Sequence, residues 1–591
     1  MSVKRYFSFV VVMLLAGVTQ AVLAQSVVDR NVTVEREFKP VIQDAGKITR
    51  LPEVLNINIS KERVEYSEFQ QTLPFDKGFK PLSATEVIHQ RREDARDAIV
   101  RLGVGNYRNT LADLALPIVR NKNMKLDVMF DHRGTFGRKE HSLTRGEINF
   151  NRFLTRYDLY AGMGISHEYF NYYGSNFFPG GDTLNIAQFA SLLAMPDPTY
   201  REERLVKITR APQDVKLSSL WRDAPASEML WRYNAHVGIR SLPGVKDHTY
   251  AGEVNYQLFN SQNGLQENIL TVEYGFDREV AGNRFGMHME LNNLFYRQND
   301  LPAINFWDFY AVFSMNPYYL IEREDWYVRA GFKTTFSFIH GRPFSPSPDI
   351  TAELKVLPNL LSVYGGLTGD FGLSTLGTIY AENRYIFPDL RVKDTYVPFN
   401  VFMGFKLKVL PNLLVDAFLD YRQYDDQHFF VNKEYKSDEV PGLGSTIFTN
   451  RFNVAYSDAT LFRLGMRANY NYRNTLNIQG KMAFNGWNVK SENYAWLKPA
   501  FEADVNADWR FNRNLSFSST LFIQGVTYAK LGDTAYRMRP AVDMNIAASY
   551  SFSRAFSVFA RLNNVFNSRY EHFYGYKVQG INMMLGGSLS F

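Results

Sequence analysis

Residues 501–512 read FEADVNADWRFN, and every second one is apolar: Phe501, Ala503, Val505, Ala507, Trp509 and Phe511. Each residue between them is charged or an amide: Glu502, Asp504, Asn506, Asp508, Arg510 and Asn512. Successive side chains of a strand point to opposite faces, so this stretch is a β-strand with one apolar and one strongly polar face. A soluble sandwich buries the apolar face and wets the charged one. A transmembrane barrel does the reverse, with lipid outside and water within.

The same period recurs from about residue 98 to the end. Val542, Met544, Ile546, Ala548, Tyr550 and Phe552 alternate with Asp543, Asn545, Ala547, Ser549 and Ser551. Phe462, Leu464, Met466, Ala468, Tyr470 and Tyr472 alternate with Arg463, Gly465, Arg467, Asn469, Asn471 and Arg473. Trp231 to Ile239 behave alike. Sandwich strands are shorter, and here helix is almost missing between successive long strands.

The connections alternate too. Short turns are expected at 356–361 and 409–414, where VLPNLL repeats, and near Arg473-Asn474, Arg513-Asn514 and Arg554-Ala555. Long connections are expected at 171–227, 375–396 and 427–450, with a shorter one at 571–576. Short turns on one rim and long loops on the other describe an outer-membrane barrel. The fold class is therefore all-β: a transmembrane antiparallel β-barrel of about 22 strands, at roughly 22 residues per strand and connection. The charged face of residues 501–512 then lines the lumen, because a charge on the lipid face at mid-depth costs about 2–4 kcal/mol.

Composition narrows the function. Hydrophobic content is 45% and mean hydropathy is −0.27, and past the first 25 residues no apolar run is long enough for a spanning helix. The net charge of +6 is scattered, which argues against nucleic acid. Cysteine is absent, which excludes disulfides, thiolate metal sites, cysteine nucleophiles and a lipidated N-terminal Cys.

Lys4 and Arg5 precede the apolar run FSFVVVMLLAGV and the small-residue pattern Val22-Leu23-Ala24. This is the pattern of a signal peptide over residues 1–24. Residues 25–97 form a polar N-terminal periplasmic or lumenal segment, and residues 98–591 the barrel. The chain ends INMMLGGSLSF, with Ile581, Met583, Leu585, Gly587, Leu589 and Phe591 on one face.

Residues 561–591 resemble the last two strands of TonB-dependent receptors, where an N-x-F-x-x-x-Y strand end precedes a loop and a Gly-rich closing strand ending in Phe. Asn564, Phe566 and Tyr570 match. The resemblance implies a 22-stranded outer-membrane barrel for uptake of a bulky nutrient, or a subunit of an outer-membrane receptor complex, in a Gram-negative envelope. It also implies a plug of well over a hundred residues, and residues 25–97 are too few for one. Val32, Thr33 and Val34 are candidates for the peptide that pairs with TonB by β-augmentation. The expected partners are outer-membrane lipid and TonB or a surface lipoprotein or other envelope protein. Alternatives are a plugless structural or accessory barrel of an envelope assembly or secretion machine, and a passive porin-like pore. The lumen must be narrowed by residues 25–97, by the 171–227 loop with its amphipathic stretch at 185–195, or by a partner.

The site candidates follow from the barrel. Asp416 and Asp420 are expected to face Arg463 and Arg467 across the lumenal wall, and Lys481 to face Glu502, Asp504 or Asp508. Such ladders brace a wall, and the alternative role is a charged path or a plug-docking surface. Residues 169–173 read as part of an aromatic girdle, while Phe177 and Phe178 are candidate extracellular ligand contacts. Asp425, Asp426 and His428 hold the atoms for a cation, but solvated charge in a loop accounts for them better. No metal spacing, nucleophile elbow or phosphate loop stands out, so neither a cofactor nor catalysis is expected.

Overall fold

The computed structural model describes residues 98–591, apart from 175–182, 185–214, 217–226, 243–247, 299–308, 436–446 and positions 263, 388, 389, 391 and 474. Within it, 22 antiparallel strands form one sheet in which each pairs with its neighbours along the chain. The last strand, Asn582–Ser590, pairs with the first, Ile99–Gly105, and closes the sheet into a barrel. The Ala98 amide donates to the Phe591 carbonyl at 2.8 Å, so the first strand starts beside the chain's end on one rim. An even strand count requires this.

The connections sort by rim as their lengths imply. Residues 121–123, 281–282, 358–360, 411–412 and 473–475 turn the chain on the rim that holds Phe591. In the first copy of VLPNLL, Asn359 takes φ +61 and lets Leu360 N–H donate to Leu357 C=O at 3.0 Å. Asparagine tolerates that left-handed conformation. Residues 172–226, 373–394, 525–540 and 564–581 connect strands on the opposite rim. In outer-membrane barrels short turns are periplasmic and long loops extracellular, and the rims are named on that basis.

The two faces of the wall follow the alternation. On strand Phe501–Arg510, Val505 and Trp509 stand exposed on the outer surface while Asp504 is 7% exposed. On strand Ile447–Tyr472, Phe462, Leu464 and Met466 are exposed outward and Arg463 is buried inward. The outward face of the closing strand carries Met583, Leu585 and Leu589. Near the periplasmic turns the outer surface is aromatic: Trp509 lies 5.2 Å from Phe511 and 5.7 Å from Phe517, and Tyr550 lies 4.9 Å from Phe552. Such girdles anchor barrels at the lipid interface.

The inner wall repeats a unit that alternation alone does not reveal. A ring on one strand lies flat over a glycine of the next, and a cation covers the ring. Tyr160 covers Gly238 beneath Arg240, Tyr364 covers Gly404 beneath Lys406, and Phe418 covers Gly465 beneath Arg467. A Cβ on Gly465 would stand 2.3 Å from the Phe418 ring, so only glycine admits this approach. Aromatic rings laid over strand glycines pin register and restore packing that glycine lacks.

Two expectations are corrected. The 427–450 stretch is not one loop: strand Leu413–Tyr435 runs on through residue 427, and the next strand begins at Ile447. The acidic pair Asp425-Asp426 is absorbed by a bulge, with Asp426 at φ +55, rather than ending the strand. The girdle assignment for residues 169–173 also fails in part, because Phe170 and Tyr172 point inward and are 1% and 0% exposed.

Candidate functional site

At the extracellular mouth the chain's own connections pack against the wall and against one another. The 373–394 connection folds across it around a short helix, Leu376–Glu382. Thr375 starts that helix with a capping box: its hydroxyl accepts from Thr378 N–H at 3.0 Å, and the Thr378 hydroxyl accepts from Thr375 N–H at 2.9 Å. The Glu267 carboxylate, from the barrel wall, accepts from the free amides of Leu376 and Gly377 at 2.7 and 3.1 Å. These orphan donors of a helix start are thus satisfied by the wall. At the far end of the connection, Asp394 accepts from Ser374 N–H at 2.9 Å and from the Tyr310 hydroxyl.

Beyond the helix, residues 385–387 add to the edge of the hairpin formed by strands Leu413–Tyr435 and Ile447–Tyr472. Phe387 N–H donates to Phe452 C=O at 2.7 Å and Phe452 N–H to Tyr385 C=O at 2.9 Å. Tyr385 stacks on Tyr576 at 3.6 Å, and the Tyr576 hydroxyl donates to Asn450 C=O at 2.6 Å. Leu376, Ile379, Tyr380, Tyr385, Ile386 and Leu390 of the connection pack with Phe170, Tyr172, Leu497, Met538 and Phe573 into one apolar cluster. Arg451, fully buried, lies 3.9 Å over the Tyr172 ring.

Ion pairs rim this core. Glu382 meets Lys498 at 2.8 Å and His428 at 2.6 Å. Burial alone would raise the Glu382 carboxyl, but the Lys498 ammonium and the His428 bond hold it well below the usual carboxylate range. Glu168 gathers Arg232 at 2.8 Å, Arg384 at 3.3 Å and His141 at 3.3 Å. Arg384 belongs to the mouth connection and Glu168 to the wall, so this cluster ties one to the other.

The lumenal charges form the second feature. Arg467 reaches Asp416 at 3.6 Å, and Lys481 reaches Asp504 at 3.2 Å. Asp420 and Arg463 stand opposite in register, yet Asp420 accepts from Arg422 at 3.1 Å. Arg463 instead donates to Asn485 at 3.1 Å, and Asn485 donates onward to Glu502 at 3.1 Å. Asp508 sits opposite Asn477 and Ser518. Asp425 pairs with Arg342 at 2.7 Å, Asp426 with Lys393 at 3.5 Å, and His428 with Glu382. The three therefore do not converge, and among the described residues no group of three His, Cys, Asp or Glu can hold a metal.

Val32, Thr33, Val34, Phe177, Phe178 and the 185–195 stretch lie outside the described residues. Sequence reasoning missed Glu267, Glu382 and the mouth connection that they fix. The signal present was the box Thr375-Leu376-Gly377-Thr378 ahead of the apolar positions Ile379 and Tyr380.

Of the N-x-F-x-x-x-Y pattern, Asn564 is buried at φ +49 and its amide donates to the Ser568 and Gln579 carbonyls at 2.8 and 2.7 Å. Tyr570 donates to Asp543 at 2.7 Å, and Phe566 is exposed.

No protein-family model matches this sequence, and no curated protein sequence does either. Solved structures do resemble it. The ferric-catecholate import receptor Fiu of E. coli K12, in a closed form, matches over 84% of this chain and 82% of its own, with 10% identity and a TM-score of 0.58. A mutant of the ferric enterobactin receptor PfeA of Pseudomonas aeruginosa matches over 84% and 81%, with 12% identity and a TM-score of 0.56. The siderophore receptor PirA of the same organism matches over 84% and 79%, with 11% identity and a TM-score of 0.53. The likeness to the barrel of TonB-dependent receptors therefore holds in the fold, and these neighbours are receptors rather than enzymes.

Proposed function

We propose that this chain is an outer-membrane barrel of the receptor type that takes up a bulky nutrient through a gated opening. One observation carries the reading: at the mouth, the 373–394 connection packs into a buried apolar core rimmed by partly buried ion pairs, which we read as a seal. A 22-stranded cylinder is wide enough for a large solute, and a standing pore has no use for such a seal. Its likeness in fold to siderophore receptors supports uptake as the purpose. Val32, Thr33 and Val34 are the proposed contact with an energy-coupling partner in the periplasm.

Conductance in planar bilayers tests the gate. The full chain should be silent, and a variant with residues 376–392 replaced by a short Gly/Ser linker should pass steady current. Constant current from the full chain would establish a passive pore instead. Silence from both proteins would move the gate elsewhere.

A second reading draws on how many connections build the seal. Tyr172, Leu497, Met538 and Phe573 come from four loops besides 373–394, which also suits a permanently closed accessory subunit of an envelope complex. Stoichiometric co-purification with other envelope proteins, joined to a seal that no solute opens, would favour it.

A further inference from the structure

The lumenal wall also holds a groove that reaches the mouth core only at Phe371 and Leu373. Two adjoining cavities, of about 470 and about 340 Å3, share Asn316, Lys333 and Asp370 in their linings. Together they run from Glu290, on strand Asn283–Gln298, to Arg422, on strand Leu413–Tyr435. Each lies within the range of about 300–1,000 Å3 typical of small-molecule sites. Their joint shape is elongated across seven neighbouring strands.

The charges of this groove are satisfied by the wall itself. Arg329 pairs with Asp349 at 2.9 Å, Lys333 with Asp370 at 3.3 Å, and Arg422 with Asp420 at 3.1 Å. Glu290 accepts from the Asn292 amide at 2.6 Å. What the wall leaves unsatisfied is neutral. Asn400, 6% exposed, spends its amide N–H on Thr368 at 3.5 Å, and its buried Oδ1 has no hydrogen-bond partner. Asn316 likewise donates to Asp349 at 3.0 Å and keeps an unpaired, buried Oδ1. A buried acceptor left unmade costs about 1–3 kcal/mol, so two in one groove call for a ligand that brings donors. Tyr327 adds an aromatic side chain to the same lining.

We propose that this groove binds an uncharged oligosaccharide, whose hydroxyls donate to Asn316 and Asn400 and whose successive rings occupy the two cavities. A strongly charged ligand would have to displace wall ion pairs to be held. A peptide brings charged ends and a carbonyl for each N–H, which matches unpaired acceptors less well. The proposal supplies a substrate class for the uptake reading and rests on it for its purpose, but binding is measured without transport.

The test is calorimetric titration of purified protein with maltohexaose, cellohexaose and mannohexaose, with hexaalanine as the peptide probe. Both the full chain and the 376–392 linker variant are used, so that a closed mouth does not hide the groove. At least one hexaose should bind saturably to one of the two proteins. Asn316→Leu with Asn400→Leu should weaken that binding at least tenfold, while Lys481→Met, in the lumen but outside both cavities, leaves it within twofold. Absence of binding to any hexaose in both proteins overturns the proposal, as does equal or tighter binding of hexaalanine or an unchanged double variant. Sugar binding by a full chain that conducts constantly would sink the gate and leave the groove standing. A working gate with no sugar bound would do the opposite.

Discussion

Val505 and Ile379 are both apolar side chains of one barrel, yet they obey opposite rules. Val505, midway along its strand, faces outward, and the polar residues beside it face in. Ile379, in the mouth helix, is 2% exposed and packed among other apolar groups from several connections. The wall is built inside-out for lipid, whereas the mouth is built as a soluble core is. The difference teaches that the two regions draw stability from different solvents and should fail separately.

The largest effect is expected in the mouth. Ile379→Ala should cost about 2–5 kcal/mol of local stability, the usual range for emptying a buried aliphatic position. Amide exchange at residues 376–383 should rise sharply while the barrel keeps its resistance to denaturation in detergent gels. If the barrel melts with the mouth, the separation of the two regions is wrong.

The converse substitution lies in the wall. Val505→Arg puts a charge on the lipid face near mid-depth, at about 2–4 kcal/mol. Membrane assembly and thermal stability of the barrel should fall, and exchange at residues 376–383 should be unchanged in the molecules that do fold. A neutral result would mean that this face meets protein or water instead of lipid.

This contrast also explains what the sequence disclosed. The wall was legible because a two-residue period repeats over 22 strands, and Trp509, Leu464 and Leu585 each report the same solvent. The rims were legible because short turns need special residues, such as Asn359. The mouth was not legible, since its core draws single residues from distant connections: Tyr172, Leu376, Leu497, Met538 and Phe573 share no period. Glu267 looks like any other strand carboxylate until the helix that it caps is in place. The Asp425-Asp426 pair misled because a bulge leaves a loop-like composition inside a continuing strand. Glycine was missed for a related reason. Gly404 and Gly465 each precede a cation by two residues, but the ring that explains them comes from the next strand.

That ring gives a third, smaller test inside the wall. Gly465→Val must push Phe418 off its floor and away from Arg467, and overpacking of this kind costs about 1–3 kcal/mol. Thermal stability should drop by less than for Val505→Arg, and Gly465→Val combined with Phe418→Ala should recover part of the loss. No recovery would show that the valine clashes with backbone and not with the ring.

The smallest effect belongs to the lumenal ladder. The Lys481 side chain is 29% exposed and that of its partner Asp504 9%, at 3.2 Å. Partly solvated pairs contribute about 0–1 kcal/mol, so Lys481→Met should shift melting very little. Melting therefore cannot separate a bracing role from a role in passage, and conductance can. In the variant with the mouth connection replaced, Lys481→Met removes one positive charge from the lumen's lining and should tilt ion selectivity toward cations if solutes pass this strand. If selectivity stays fixed while Val505→Arg and Ile379→Ala act as described, the ladder only holds the wall together. The path must then run along another part of the lumen, and the groove that holds Asn316 and Asn400 would be the next place to place a charge.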